Sequence, residues 1–497
     1  MAELADRPFP PGDYPVVVVG SGAGGLQTSY FLHRRGIDHA LISADSAPAG
    51  MFQKFPFFQR LISWTKPYAP AERGTRAYER YDWNSLIGEE PEHRTVLPGL
   101  MDGTSYFPSR DEMERGIALF VDRTGLQVRY GCRWESTRQD EKGFVLSTTD
   151  GEYSCRAAVF AMGMTRPWKP DIPGLELVPH YVETRSPREY TNKRIIIIGK
   201  RNSGFEIADG LLPWARQILL VSPRPARISV VTRSLAGARA RYLQPYEDYV
   251  LAGGTFVLDA ALDHVERTDA GYRVFASGTS VPGDIVLDAD EVIAATGFST
   301  PLLDLPDLGV ATFYQGRLPA QTPFWESAST PGIYFAGSVS QGSIGLKKYG
   351  KTGNSAAVHG FRYNAGVLAN HLAEERFEIP LKKPTLRPDE VVPYLLEEAT
   401  SGPELYNQPS YLARVVTFDD GIVDEGILPL AHFVDSPGPD AVAIAVETDD
   451  QSDTHPAVYV RRGARVDEHL LGSDPMLDFR TDEHRNQLAG VLQGFLK

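Results

Sequence analysis

The chain has 497 residues, a net charge of −14 and a hydrophobic fraction of 42%. A single hydrophobic core stops growing at about 250–300 residues, so this length predicts two or more domains. The acidic balance repels phosphate backbones and anionic lipids, which argues against nucleic acid and membranes as partners. The chain opens without a signal-peptide pattern and contains no run of 18 apolar residues. We therefore expect a cytoplasmic protein.

The sequence contains two cysteines, Cys132 and Cys155. Their separation fits neither a vicinal dithiol nor a metal-ligand cluster. We therefore expect no metal site and no disulfide reduction through a CxxC pair. No Ser-His-Asp set is evident either.

The first nucleotide-binding signal is a run of four valines, residues 16–19, followed by Gly20-x-Gly22-x-x-Gly25 and a helical segment. A continuous β-branched run predicts a strand buried on both faces of a parallel sheet. The first glycine allows a tight turn, the second lets a pyrophosphate approach the backbone, and the third lets helix and strand pack closely. Asp45 follows 20 positions after Gly25, where an acidic residue binds ribose hydroxyls, although it could equally be a solvated turn residue.

A second unit of the same kind begins with four isoleucines, residues 195–198. The loop after them supplies five candidate coenzyme-binding residues: Gly199, Arg201, Asn202, Ser203 and Gly204. Arg201 stands where the middle glycine is expected, so it either pairs with phosphate or blocks the site. Arg224 follows the next strand, where a basic residue suits the extra phosphate of NADP and the alternative is a solvated loop.

Three more strand ends with small-residue turns follow, at 158–163, 292–297 and 333–337, and a helix is predicted over 355–372. We include Gly337 and Phe52, the latter in a long loop around residues 50–53, among the candidate cofactor-binding residues. Three lysines at 347, 348 and 351 lie in a glycine-rich stretch that is either a plain surface loop or a lid over the flavin or substrate.

Taken together, these features resemble the class B flavoprotein monooxygenase superfamily, which includes flavin-containing and N-hydroxylating enzymes. Within it the chain is most similar to FAD-dependent oxidoreductase domain proteins. The resemblance spans most of the chain and is carried by residues 60–63 (Arg-Leu-Ile-Ser), 81–86 (Tyr-Asp-Trp-Asn-Ser-Leu), 199–204, 359–363 (His-Gly-Phe-Arg-Tyr) and, weakly, 404–406 and 455–456.

The resemblance implies FAD in the first unit and NADPH in the second, with NADPH reducing the flavin and oxygen then reacting to oxidise a soft nucleophile. Family monooxygenases often carry an Asn beside the flavin shortly after the Leu-Ile-Ser stretch. Here Trp64, Thr65 and Lys66 follow, so Thr65 takes that place and, with Lys66, is the catalytic candidate. A hydroxyl can still donate one hydrogen bond.

The sequence thus predicts an α/β protein with two Rossmann-type dinucleotide-binding domains and a C-terminal α/β extension. The expected boundaries are 1–165 and 290–380 for the FAD domain, 166–289 for an inserted NADPH domain and 381–497 for the extension. The expected function is oxygen-dependent hydroxylation or oxidation of a small molecule, with an amine nitrogen favoured and homo-oligomers possible. The alternatives are a flavin dehydrogenase or oxidase without a stable flavin hydroperoxide, and a flavin-stabilised binding protein with little turnover.

Overall fold

The computed structural model describes residues 7–55, 60–229, 238–239, 242, 254–302, 304–314, 316–419 and 421–496. Within these ranges the strands are β1 Gly12–Val19, β2 His39–Ile42, β3 Trp134–Asp140, β4 Gly143–Thr148, β5 Gly151–Phe160, β6 Arg166–Pro167, β7 Arg194–Ile198, β8 Gln217–Ser222, β9 Thr255–Thr268, β10 Gly271–Gly278, β11 Asp284–Ala289, β12 Glu291–Ala294, β13 Phe298–Ser299, β14 Thr312–Phe313, β15 Leu318–Pro319, β16 Ile333–Phe335, β17 Leu412–Thr417, β18 Val423–Pro429, β19 Ala441–Thr448, β20 Thr454–Arg462 and β21 Arg465–Leu470.

The α-helices in the described ranges are α1 Ala23–Arg34, α2 Arg110–Thr124, α3 Asn202–Leu211, α4 Val358–His371, α5 Pro388–Ser401, α6 Pro403–Asn407, α7 Leu430–Asp435 and α8 Asp482–Leu492. Helix α4 starts three residues later than the sequence pattern predicts. Its N-cap, Ala357, has an extended backbone and offers no side-chain hydrogen bond, so the sequence carries no start signal there. None of the helices described here has both the length and the apolar character that a membrane crossing requires.

The first sheet has the order β2-β1-β5-β4-β3, with β16 paired to β5. Strands β2, β1, β5 and β16 run parallel. The valines of β1 explain its place, because Val16 and Val18 enter one hydrophobic core while Val17 and Val19 enter another on the opposite face. The sheet is therefore covered on both sides, as the β-branched run predicts.

The second sheet has the order β11-β10-β9-β8-β7-β12, with β9, β8, β7 and β12 parallel. As in the first sheet, the residues of the buried strand alternate between two hydrophobic cores. Ile195 and Ile197 pack on one face, and Ile196 and Ile198 pack on the other. Strand β12 belongs here, so residues 291–294 pack with the second unit and not with the 290–380 segment of the first. The short strands β6 and β13, where the chain passes between the units, pair with each other.

The C-terminal region forms a third sheet of five antiparallel strands in the order β18-β17-β19-β20-β21. Helices α5 and α8 contribute Leu395 and Leu488 to the core of this sheet. The two-dinucleotide-domain α/β fold with a C-terminal extension is therefore confirmed.

Candidate functional site

A cavity of about 680 Å³ lies between the two nucleotide-binding units. The first unit contributes residues 20–24 from the loop after β1, and the second contributes Asn202, Ser203 and Glu206 from the start of α3. Ligands of doubly wound sheets bind outside the carboxyl ends of the strands, which is where both of these segments lie. The cavity therefore connects the two loops that the sequence singles out.

The glycines of the first loop have separate tasks. Gly20 has φ +112°, and a Cβ on Gly25 would lie 1.8 Å from the Gly20 carbonyl oxygen. A Cβ on Gly24 would lie 2.2 Å from the Cα of Gly337, which itself lines the cavity. Gly22 differs, because a Cβ there would meet no atom within 4 Å. Gly20 permits the turn, and Gly24 and Gly25 permit close contact between backbone segments. Gly22 instead leaves open space in the cavity wall. The loop therefore fits a dinucleotide pyrophosphate at the start of α1.

Two oxygen-bearing side chains line the cavity near the end of β2, Ser43 and Asp45. The Ser43 hydroxyl accepts hydrogen bonds from Ser21 Oγ at 2.8 Å and from the Asp45 amide at 3.2 Å. The Asp45 carboxylate pairs with Lys54 at 2.7 Å. Asp45 and Ser43 therefore form a polar part of the cavity wall beside the first loop.

Aromatic side chains form one part of the apolar cavity wall. Phe52 lies on a short 3₁₀ helix, Gly50–Gln53, with its ring 5.7 Å from that of Phe55. Phe55 in turn lies 6.3 Å from Tyr181 of the second unit. Phe52, Phe55 and Tyr181 all line the cavity, so this cluster joins the two units across it.

The second loop keeps the packing glycines. Gly199 has φ +123°, and a Cβ on Gly204 would lie 2.1 Å from the Gly199 carbonyl oxygen. Arg201 is the extended N-cap of α3 and is exposed, outside the cavity lining. Arg224 is exposed just beyond β8. The structure brings Asn202 and Ser203 to the cavity and leaves both arginines exposed at the surface of this unit.

The two residues predicted as catalytic do not line the cavity. Thr65 is fully buried and donates its hydroxyl to Asp82 Oδ1 at 2.8 Å. Lys66 is exposed, with its Nζ 5.6 Å and 5.4 Å from the ring centroids of Trp64 and Tyr81. Neither of these two residues therefore reaches the cavity, whereas other polar groups of the same region do.

Those groups are Ser63 and Asn84, which both line the cavity. Ser63 Oγ donates to Asn84 Oδ1 at 2.5 Å, and Asn84 Nδ2 donates to Thr65 Oγ1 at 3.1 Å. Asp82 Oδ1 accepts a hydrogen bond from the backbone N–H of Asn84 at 3.2 Å and fixes the turn that carries Asn84. Thr65 thus orients Asn84 from behind. The Tyr-Asp-Trp-Asn-Ser-Leu motif contains this asparagine, but the motif alone indicates no role for it.

We expect Asn84→Ala to weaken FAD binding or slow flavin reduction about 3- to 10-fold, because one net hydrogen bond is worth about 0.5–1.5 kcal/mol. Flavin fluorescence titration and anaerobic reduction measure the two quantities. Thr65→Val is the comparison, since it removes the hydroxyl behind Asn84 and should lower thermal stability more than it disturbs the flavin. If Thr65→Val weakened FAD binding or slowed flavin reduction more than Asn84→Ala did, Thr65 and not Asn84 would be the residue that acts on the flavin.

A buried acid and phenol meet on the second-unit side of the cavity. Tyr181 donates its hydroxyl to Glu206, and both residues line the cavity. Burial, followed by the charge of Glu206, raises the pKa of Tyr181 well above its ordinary value. The phenol is therefore protonated and acts as a donor at physiological pH. Neither residue was singled out from the sequence.

His359, at the start of α4, is buried and stacks on Trp83 with ring centroids 4.5 Å apart. Burial first, and then the nearby Arg362 guanidinium, lowers the pKa of His359 to about 3. The imidazole is neutral at physiological pH. The residue stacks on Trp83 and does not line the cavity.

The family model described as pyridine nucleotide-disulphide oxidoreductase matches residues 17–337 of this chain. A FAD-dependent oxidoreductase domain-containing protein 2 from Danio rerio is 26% identical over 418 residues, covering 72% of this chain and 58% of that protein. The chain thus spans about three fifths of the length of this relative. A ferredoxin–NADP reductase from Gluconobacter oxydans is 28% identical over 246 residues, covering 46% of this chain and 67% of the reductase.

Among solved structures, a flavin-containing monooxygenase from Stenotrophomonas maltophilia aligns with a TM-score of 0.55 and 20% identity. The alignment covers 73% of this chain and 98% of that structure. This likeness shows the fold. The resemblance to FAD-dependent oxidoreductase domain proteins that the sequence predicts is confirmed by the Danio rerio relative.

Proposed function

The chain belongs to the pyridine nucleotide-disulphide oxidoreductase family, and from this premise we propose that it is an FAD- and NADPH-dependent monooxygenase that oxidises a small molecule with oxygen. The observation that carries the proposal is that the loops of both nucleotide-binding units line the same cavity. A nicotinamide and a flavin can exchange a hydride only in contact, and a shared cavity permits it.

Each cofactor has residues that fit it. The open space at Gly22 and the start of α1 would take the FAD pyrophosphate, with Ser43 and Asp45 toward the ribose. The start of α3, with Arg201 as its N-cap and Arg224 just beyond the neighbouring strand β8, would take NADPH. Bound FAD supplies the electron transfer from nicotinamide to oxygen, chemistry that protein side chains lack. The chain's own part is to orient the two cofactors through Asn84, Ser63 and Phe52 and to exclude water.

Disulfide reduction through the chain's own thiols finds no support. Cys132 and Cys155 are both buried and neither lines the cavity. Burial raises the pKa of Cys132 and brings that of Cys155 to about 12. Neither thiol is a thiolate at physiological pH, and the thiolate is the reactive form. The electrons are therefore proposed to leave the flavin for oxygen or for an external acceptor.

The second candidate is a flavin reductase or dehydrogenase that forms no oxygenated product. The 28% identity to a ferredoxin–NADP reductase favours it. The two functions separate when NADPH oxidation, oxygen uptake, peroxide and product mass are measured together with a panel of amines, ketones and thioethers. We expect an amine to stimulate NADPH oxidation and to gain one oxygen atom. Stoichiometric peroxide with no oxygenated product, or rapid transfer to an electron acceptor, would assign the second function.

Arg201 gives a specific test of the coenzyme loop. Because its side chain is exposed beside the start of α3, we expect it to fold over the coenzyme phosphates and bind them with charge assistance. Arg201→Gly should raise the NADPH dissociation constant about 10-fold, and Arg201→Lys should restore part of the affinity through charge without the planar fork. Stopped-flow anaerobic reduction measures both. Faster reduction in Arg201→Gly would instead show that the native arginine obstructs the coenzyme.

A further inference from the structure

Residues 343–357, here named the cavity segment, connect two stretches of the chain that line the cavity. The segment follows the 3₁₀ helix Gly337–Gly342, whose first two residues line the cavity. It ends at Ala356 and Ala357, which line the cavity together with Val358, the first residue of α4. The position of the segment therefore sets part of the cavity wall.

The middle of the cavity segment is bound to the C-terminal sheet through Lys348. Its Nζ donates to Glu447 Oε2 at 2.5 Å, to Tyr459 Oη at 2.8 Å and to Glu468. These acceptors come from three adjacent strands, β19, β20 and β21. Tyr459 in turn donates to Glu447 Oε1 at 2.6 Å. Lys348 thus donates hydrogen bonds to side chains from all three of these strands, two of which are carboxylates.

Further contacts repeat the attachment along the segment. Lys351 Nζ donates to the carbonyls of Thr448 and Asp449 at 2.8 Å and 3.0 Å. The backbone N–H of Asn354 donates to Gln408 Oε1 at 2.6 Å, and Gln408 lies just before β17 in the chain. The cavity segment is therefore held at several points by residues beyond 400, and it is not a plain surface loop.

The backbone of the segment needs such support. Lys347 and Tyr349 have φ +53° and +51°, a left-handed conformation that is unfavourable for residues with a Cβ. Strained backbone of this kind persists where surrounding contacts hold it. The flanking Gly345 and Gly353 leave room for Tyr411, because a Cβ on them would come within 2.7 Å and 2.6 Å of its ring.

The charge balance also favours the attachment. Burial opposes the charged form of Lys348, but Glu447 and Glu468 outweigh it and raise the pKa of the ammonium. The Glu447 side chain is fully buried. Removal of the lysine charge would leave a buried carboxylate without its cation, which is strongly unfavourable.

We propose that Lys348 is a positioning residue through which the C-terminal sheet fixes the cavity segment and the start of α4 against bound flavin. The flavin part of this inference rests on the proposed function, whereas the attachment itself can be measured without a cofactor. In this arrangement the C-terminal extension holds part of the cavity wall in place, through contacts that come from outside both nucleotide-binding units.

The test compares Lys348→Met with Lys347→Met in the full chain. Lys347 is exposed and forms no ion pair within the described part of the chain, so it is the matched control. Hydrogen exchange of the protein without added cofactor should show the largest loss of protection in residues 343–357 of Lys348→Met, a smaller loss around Glu447 on β19, and no loss in Lys347→Met. FAD release should be on the order of tenfold faster in Lys348→Met alone. Lys348→Arg should restore much of both, because it keeps the charge.

Unchanged protection of residues 343–357 would overturn the proposal. Protection lost equally across β19–β21 would also overturn it, because the lysine would then only stabilise the sheet. Glu447→Gln keeps the shape and removes the charge, so it gives the same readout if Lys348→Met folds poorly. Loss of protection in residues 343–357 with an unchanged rate of FAD release would overturn the positioning role of Lys348. The proposal that the protein binds FAD would not be affected by that result. A protein that binds no FAD would fail the proposed function, yet the exchange measurement would still decide the attachment.

Discussion

Gly22→Val is expected to yield folded protein that has lost most of its flavin. A Cβ at this position meets no protein atom, so the added side chain fills the space we assign to the FAD pyrophosphate. The backbone of Gly22, with φ −71° and ψ 175°, suits valine. Overpacking costs about 1–3 kcal/mol, so the FAD dissociation constant should rise roughly 10- to 100-fold. Absorbance of the purified protein and release of FAD on denaturation measure it.

Gly25→Ala is the matched control and should fail in a different way. Its Cβ would lie 1.8 Å from the backbone oxygen of Gly20, so the loop itself must move. We expect lower thermal stability and low yield even without cofactor. Equal melting temperatures for the cofactor-free Gly22→Val and wild-type proteins, with flavin lost only in the variant, would separate binding from folding. A fully occupied flavin spectrum in Gly22→Val would contradict the assignment of the cavity.

Arg224→Ala is expected to weaken NADPH selectively. The residue is exposed directly after β8, at the carboxyl end of the strand next to the coenzyme loop, where a 2′-phosphate is read in this fold. A charge-assisted hydrogen bond is worth about 1.5–3 kcal/mol, so the NADPH dissociation constant should rise roughly 10- to 100-fold while the NADH constant barely changes. Titration of the coenzymes against the reduction rate measures both constants.

Arg216 provides the control for that experiment. It is also exposed but precedes β8, so it lies at the opposite end of the same strand. Arg216→Ala should leave both coenzymes unaffected. An equal loss of NADPH and NADH affinity in Arg224→Ala would assign Arg224 to packing or general charge and remove the basis for preferring NADPH.

The two nucleotide-binding units were predictable because their signals are local. Runs of β-branched residues, here Val16–Val19 and Ile195–Ile198, mark strands buried on both faces, and the glycines that follow mark loops that only small residues can form. The observed sheets and glycine contacts agree with this pattern. The end of the second unit was less predictable, because β12 joins its sheet by a pairing to β7 that no local pattern encodes.

The cavity wall was harder to predict because two of its polar residues, Ser63 and Asn84, come from segments without regular structure. Asn84 reaches the cavity only because Asp82 and Thr65 hold its turn, and Arg362 of α4 donates to the Ser85 carbonyl at 2.8 Å from far along the chain. Lys348 similarly meets acceptors about a hundred positions away. Such contacts follow from tertiary packing. The family resemblance therefore assigns the role of the flavin-side asparagine to Thr65, and the sequence leaves the lysine stretch with two interpretations, a surface loop or a lid.

The central claim is that both cofactors meet in the cavity between the two units. The most direct test is anaerobic stopped-flow mixing of flavin-loaded protein with NADPH, followed by the loss of oxidised flavin absorbance. We expect complete reduction at a rate that saturates with NADPH concentration. Flavin that dithionite reduces but NADPH does not, at any coenzyme concentration, would contradict the claim.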